Sequence, residues 1–156
     1  MIKIDVITKS RSWKNYLKNP KKYIKKKVQV LDRKEIFFKK KNIFLALKLS
    51  GNREIYLLNK KFRNKKKTTD ILSFPFYKEK ELKRLLKRKK KIYIGDIIIN
   101  YSKVNKDNKK IFKIHFDKLF IHGLLHLLGY KHTKEKDYKK MIRIEKKYFR
   151  IVNDAL

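Results

Sequence analysis

Three of the four histidines in this sequence lie in one short window, His122-Gly123-Leu124-Leu125-His126-Leu127-Leu128-Gly129-Tyr130-Lys131-His132. On an α-helix, residues four apart stand one turn above each other, so His122 and His126 can aim both imidazoles at a single ion. Gly129 falls where such a helix ends in the left-handed conformation that glycine adopts without steric penalty. The chain then turns back and brings His132 as a third ligand. Three histidines with a fourth tetrahedral position left for water form the pattern of catalytic rather than structural zinc, and one zinc per chain is expected. Taken singly, each histidine reads as an ordinary residue on a half-buried helix face. The combination with a glycine turn favours the metal. His115, seven residues before His122, has no partner pattern of its own and reads as a structural histidine.

The elements that must position this window follow from periodicity. Residues 2 to 7 and 43 to 49 alternate apolar and polar residues as strands do, 71 to 76 is a short apolar strand stopped by Pro75, and 92 to 99 is a fourth. Trp13, Leu17, Ile24, Val28 and Leu31 recur at helical spacing, with a restart at Asn19 as N-cap and Pro20 at the first helical position. The exposed face of that helix is expected to carry Lys21, Lys22 and Lys25 to Lys27. Residues 53 to 62 suit a helix with Ile55, Leu58 and Phe62 inward. Residues 79 to 91 read as an exposed insertion or weak helix, and 83 to 91 are expected to lie away from the metal. Helices are expected over about 101 to 110 and 114 to 128, then a last one capped by Thr133. This order predicts an α+β fold, a single domain over 1–156 with a small mixed sheet of about four strands covered by helices.

At 156 residues the chain is long enough to bury about 70% of its unfolded surface. Its net charge of +33, from 47 basic and 14 acidic residues, points to a polyanionic partner. Because 39 of the basic residues are Lys and 8 are Arg, in a chain rich in Asn and Ile, compositional drift competes with selection for binding. The absence of cysteine excludes disulfides and thiolate metal sites. The N-terminus lacks the apolar stretch and cleavage site of a signal peptide, and no uncharged run is long enough to span a bilayer, so a cytoplasmic protein without membrane partners is expected.

The window His122-Gly-x-Leu-His126-Leu-x-Gly129-Tyr-x-His132 resembles the signature of the YbeY family of bacterial rRNA maturation factors. Leu58-Asn59-x-x-Phe62-Arg63, Thr69-Asp70-Ile71-Leu72-Ser73-Phe74-Pro75 and Gly95-Asp96-Ile97 resemble the family's other blocks in the same order. The resemblance implies a single-strand-specific, metal-dependent endoribonuclease, usually with zinc, acting in maturation of the 3′ end of small-subunit rRNA and in ribosome quality control. It makes His122, His126 and His132 the metal ligands, Arg63 the catalytic basic residue, and single-stranded RNA, rRNA and the small ribosomal subunit the partners. Lys65, Lys66 and Lys67 beside Arg63 are expected to bind RNA. Where the family has Asp before the third histidine this chain has Lys131, and Glu135 or Asp137 is expected to take over its role. Asp70 reads as either a base or a turn cap, and Asp96 as structural.

Two other readings compete. The histidine spacing coincides with that of metzincin peptidases, although those carry a Glu base where this chain has Gly123. A non-catalytic ribosome-binding zinc protein is the other.

Overall fold

In the computed structural model, which describes residues 1–88 and 91–154, a four-stranded sheet is built from β1 (Ile2–Thr8), β2 (Ile43–Ser50), β3 (Ile71–Pro75) and β4 (Ile92–Asn100) in the order β1-β2-β4-β3. β1, β2 and β4 run parallel and β3 is antiparallel to β4. The alternation read in the sequence is the burial pattern observed: Ile2, Ile4 and Val6 in β1 and Ile43, Leu45, Leu47 and Leu49 in β2 all point into the core. β4 is buried nearly throughout, as a strand with neighbours on both sides must be. The expected mixed α+β domain is therefore present.

One face of the sheet carries the main core, packed under α1 (Pro20–Lys34), α5 (Lys109–Leu127) and α6 (Glu135–Asn153). The other face holds a smaller cluster of Ile55, Leu72 and Ile98, where α3 (Asn52–Arg63) docks. The short α2 (Ile36–Lys39) links α1 to β2. Asn19 accepts from the Lys22 N–H and Pro20 opens α1, as the sequence predicts. No helix of the described residues is long and apolar enough to cross a membrane.

Several boundaries differ from expectation for identifiable reasons. The segment of Trp13 is a 3₁₀ turn, Arg11–Asn15, begun by a Ser10 cap. Residues 101 to 108 hold only the 3₁₀ turn Tyr101–Lys103, because Asn108 caps α5 through the Ile111 N–H and starts it five residues earlier than periodicity suggested. The last helix begins at Glu135 behind Lys134, without a side-chain cap from Thr133. Phe62 is exposed and packs edge-on against Phe74 instead of facing inward. Residues 79 to 86 form α4 (Glu79–Leu86), whose Leu82 and Leu86 are buried, so this segment belongs to the domain; residues 89 and 90 lie outside the described ones. Lys27, expected on the exposed face of α1, is buried.

Candidate metal centre

α5 carries His122 and His126 one turn apart and ends immediately after them. Its end is a Schellman motif: the Tyr130 N–H reaches the Leu125 carbonyl and the Gly129 N–H the His126 carbonyl, both at 3.0 Å, with Gly129 at φ +88°. This turn brings His132 back, its ring centroid 5.0 Å from that of His126 and 5.7 Å from that of His122. One nitrogen from each of the three lies within 4.8 Å of the others.

The outward nitrogens decide what the inward ones present. His126 Nδ1 lies 3.0 Å from the Tyr130 carbonyl oxygen, which can only accept, so Nδ1 carries the proton and Nε2 is bare. His122 Nδ1 lies 3.1 Å from Glu145 Oε1 on α6, and in the neutral ring donation to that carboxylate leaves Nε2 bare as well. The two Nε2 atoms face each other at 3.0 Å. Two nitrogens each about 2.0–2.1 Å from a tetrahedral ion stand about 3.3 Å apart, so the pair is spaced as ligands are. Lone pairs converging on one point repel unless a cation lies between them. Burial, then the neighbouring His122, pushes the His126 pKa down to about 4, so this imidazole is unprotonated at neutral pH. The donor set fits a divalent metal that favours imidazole, zinc among them.

Around the histidines opens a cleft of about 750 Å³. Arg63 lines it from the end of α3, where Asn64 adopts the left-handed conformation. Buried Asn59 holds the following loop, donating to the Lys67 carbonyl at 2.8 Å while its own carbonyl accepts the Lys65 N–H at 3.2 Å. Lys65, Lys66 and Lys67 are exposed on that loop and do not line the cleft. Asp70 does line it, yet its carboxylate accepts the Ile71 N–H at 2.8 Å and the Thr69 hydroxyl at 3.0 Å, the turn-capping role. Asp96 accepts the Tyr93 hydroxyl at 2.5 Å and is not among the lining residues. His115 accepts the Asn105 N–H at 2.9 Å through Nδ1, the structural role its isolated position suggested.

Three features escaped sequence reasoning. Glu145 supports His122, while Glu135 pairs with Lys139 at 2.7 Å and Asp137 lines a small hollow that adjoins the cleft at Glu79, Gly129, Tyr130 and Lys131; among the described residues neither is hydrogen-bonded to a histidine. Glu145 was visible only as a helix residue at core spacing on α6. Glu79 lines the cleft from α4, bonded to Lys83 at 2.6 Å, in a segment that its charges mark only as an exposed insertion or weak helix. Gly123 packs against β3 and β4, where an added Cβ stands 2.9 Å from Ile71 Cδ1 and 3.0 Å from Ile97 Cγ2. A glutamate there points into the sheet, which removes the metzincin-type base.

The family model described as "Endoribonuclease YbeY" matches residues 7–153. The chain belongs to the YbeY family. A protein of Pelagibacter ubique named endoribonuclease YbeY is 44% identical over 155 residues, covering 97% of this chain and 97% of its own. One from Buchnera aphidicola of Schizaphis graminum with the same name is 34% identical over 152 residues, covering 95% and 89%. The solution structure of TM1509 from Thermotoga maritima superposes with a TM-score of 0.62 at 26% identity, over 96% of this chain and 89% of that one. Full-length similarity to YbeY proteins gives the histidine cleft a nuclease context.

Proposed function

We propose that this chain is a zinc-dependent, single-strand-specific endoribonuclease of rRNA maturation, with one zinc held by His122, His126 and His132. The observation carrying this reading is the pair of bare Nε2 atoms 3.0 Å apart in a cleft that Arg63 also lines. Zinc in such a site lowers the pKa of a coordinated water to about 7 and polarises a phosphoryl oxygen. The protein's own contribution is orientation. The Tyr130 carbonyl and Glu145 fix two imidazole planes, and Arg63 offers a planar guanidinium that holds two phosphate oxygens and offsets charge building on them. The substrate by this reading is the 3′ end of small-subunit rRNA, reached in the cytoplasm on or near the small ribosomal subunit, with the same activity serving ribosome quality control. Lys65, Lys66 and Lys67, exposed beside Arg63, extend the cationic surface along the strand.

The test combines elemental analysis with cleavage of a single-stranded RNA. Wild type is expected to hold about one zinc and to cut, and His126→Ala to lose most of the metal, because two protein ligands are too few for an open site. Wild-type zinc content in His126→Ala overturns the ligand assignment. Arg63→Ala is expected to keep the zinc and lose about 10²–10³ in kcat, the effect of removing one donor to a developing oxyanion, with Arg63→Glu losing more. Wild-type rates in both variants make Arg63 a bystander. RNA binding without metal-dependent cleavage favours the non-catalytic reading.

A further inference from the structure

α5 and α6 run antiparallel, as their cross-contacts show. His122 meets Glu145, Lys118 lies over the Phe149 ring at 5.6 Å, and Asp117 with Lys27 reaches the Val152–Asn153 end. The seam between them leaves the histidine cleft at one end. At the other it opens into a second hollow of about 420 Å³, whose lining includes Tyr23, the paired Lys27, Lys110, Lys113, Lys118 and Phe149. That size is within the range of ligand pockets.

Residues 110, 114, 118 and 122 are spaced four apart and follow one line along α5. From His122 to Lys110 that line rises about 18 Å. Its cations are uncompensated: among the described residues, Lys110, Lys113 and Lys118 are in no ion pair. Both acidic groups along the seam are engaged, Glu145 with His122 and Asp117 with Lys27. Two rings stand between the lysines, with Lys113 lying 5.8 Å from the centre of Tyr23 and Lys118 over Phe149. Free cations alternating with aromatic faces suit single-stranded nucleic acid, whose phosphates pair with the one and whose bases stack on the other. An anionic membrane fits less well, because the exposed large hydrophobic residues Met1, Ile7, Ile36, Leu57, Phe62, Phe76 and Tyr138 do not line this hollow.

We infer that the α5/α6 seam is a binding track for single-stranded RNA, holding the strand that continues from the histidine cleft past Lys118 to the Tyr23–Phe149 hollow. The inference rests on the nuclease reading for what occupies the cleft. It concerns a surface that the ligand and Arg63 assignments leave unused.

Binding of a labelled twelve-nucleotide single-stranded RNA by the full chain, in EDTA to prevent cleavage, tests it over a salt series. Lys110→Gln/Lys113→Gln/Lys118→Gln is expected to weaken binding on the order of a hundredfold near 0.1 M salt and to flatten the log–log salt slope by about two units, at about 0.7 per phosphate contact. Lys34→Gln/Lys39→Gln/Lys40→Gln, three exposed lysines lining neither cavity, is the charge-matched control and is expected to change both far less. Phe149→Leu keeps an apolar side chain but removes the stacking face, and about a tenfold loss is expected. Equal losses in the two triple variants, or none in the first, overturn the track. So does loss of phosphatidylserine-vesicle binding with RNA affinity intact, which assigns the surface to a membrane. Metal-loaded wild type is assayed for cleavage in parallel. If it cuts no RNA while the first triple variant still loses affinity, the track stands and the active-site reading falls.

Discussion

Two carboxylates on or facing α5 each grip a basic nitrogen, and they do opposite things. Asp117 sits 2.9 Å from Lys27 with side-chain exposures of 2% and 3%, whereas Glu145 sits 3.1 Å from His122 with exposures of 26% and 32%. The contact distances are alike; the difference lies in what valence each pair leaves over. Lys27 donates to Asp117, to the Val152 carbonyl at 3.0 Å and to Asn153 Oδ1 at 3.1 Å, using all three ammonium protons. Asp117 also accepts the Tyr23 hydroxyl at 3.0 Å on both oxygens. That knot ties α1, α5 and α6 together and leaves none of the Lys27 ammonium protons free for a ligand. At the other pair the second ring nitrogen of His122 faces His126 in the cleft. A polar group becomes a site when the fold orients it and leaves one valence free.

The largest effect is expected at the sealed pair. Asp117→Ala strands the Lys27 ammonium in the core, and breaking a buried pair from one side costs about 3–5 kcal/mol. Denaturant unfolding measures it, and a loss under about 1 kcal/mol shows that water or a shifted side chain compensates. Replacing both partners, as in Lys27→Met/Asp117→Leu, is expected to recover most of that stability, since well-packed apolar residues often match or exceed a buried ion pair. The folded fraction of Asp117→Ala is expected to bind added zinc as the wild type does, because the open end of the seam uses other atoms.

Glu145→Gln sharpens the contrast from the other side. The amide keeps the shape of the side chain but replaces a charged acceptor, so His122 loses the partner that fixes its ring. Losses of this kind typically cost about 10–100-fold in metal affinity. Competition with a zinc chelator reads the affinity directly, and the unfolding free energy of the metal-free protein is expected to change little. Unaltered zinc affinity with lowered stability would falsify the supporting role and make the pair structural, like its buried counterpart.

These two pairs also mark how far the sequence could be read. The histidine window was legible because its chemistry is local: i, i+4 spacing and a glycine stop fix two ligands and the turn to the third without any knowledge of the rest of the chain. Strand alternation and the Asn19-Pro20 helix start were legible for the same reason. Lys27 was not, because a charged residue inside an amphipathic helix pattern looks like its solvent face until another helix covers it, and Glu145, although at core spacing in the last helix, carries no local sign that its partner is His122. The partners of Lys27 lie 90 and 125 residues away in sequence, at Asp117 and Val152. α4 reads from sequence as an exposed insertion or weak helix for a related reason: its three leucines are few among charges, yet burying Leu82 and Leu86 is enough to bring Glu79 to the cleft.

The smallest effect expected is a pH dependence confined to the open site, where solvent in the cleft screens the charge. An unfolded histidine takes up its proton near pH 6.5. In the folded, metal-free chain His126 resists protonation until about pH 4, through burial first and His122 second. Between those values the unfolded chain binds a proton that the folded chain does not, so the stability contributed by neutral His126 is complete above pH 6.5 and is lost progressively as pH falls toward 4. Thermal melts of EDTA-treated protein from pH 8 to 4 are expected to show a Tm decline for wild type that is steeper than for His126→Ala across that window, with the two curves parallel above it. His122→Ala removes a neighbouring imidazole and is expected to narrow the window by raising the pKa of His126. Curves for wild type and His126→Ala that stay parallel from pH 6.5 to 4 mean that His126 titrates alike in the folded and unfolded chains, which contradicts a half-buried imidazole held neutral for a metal.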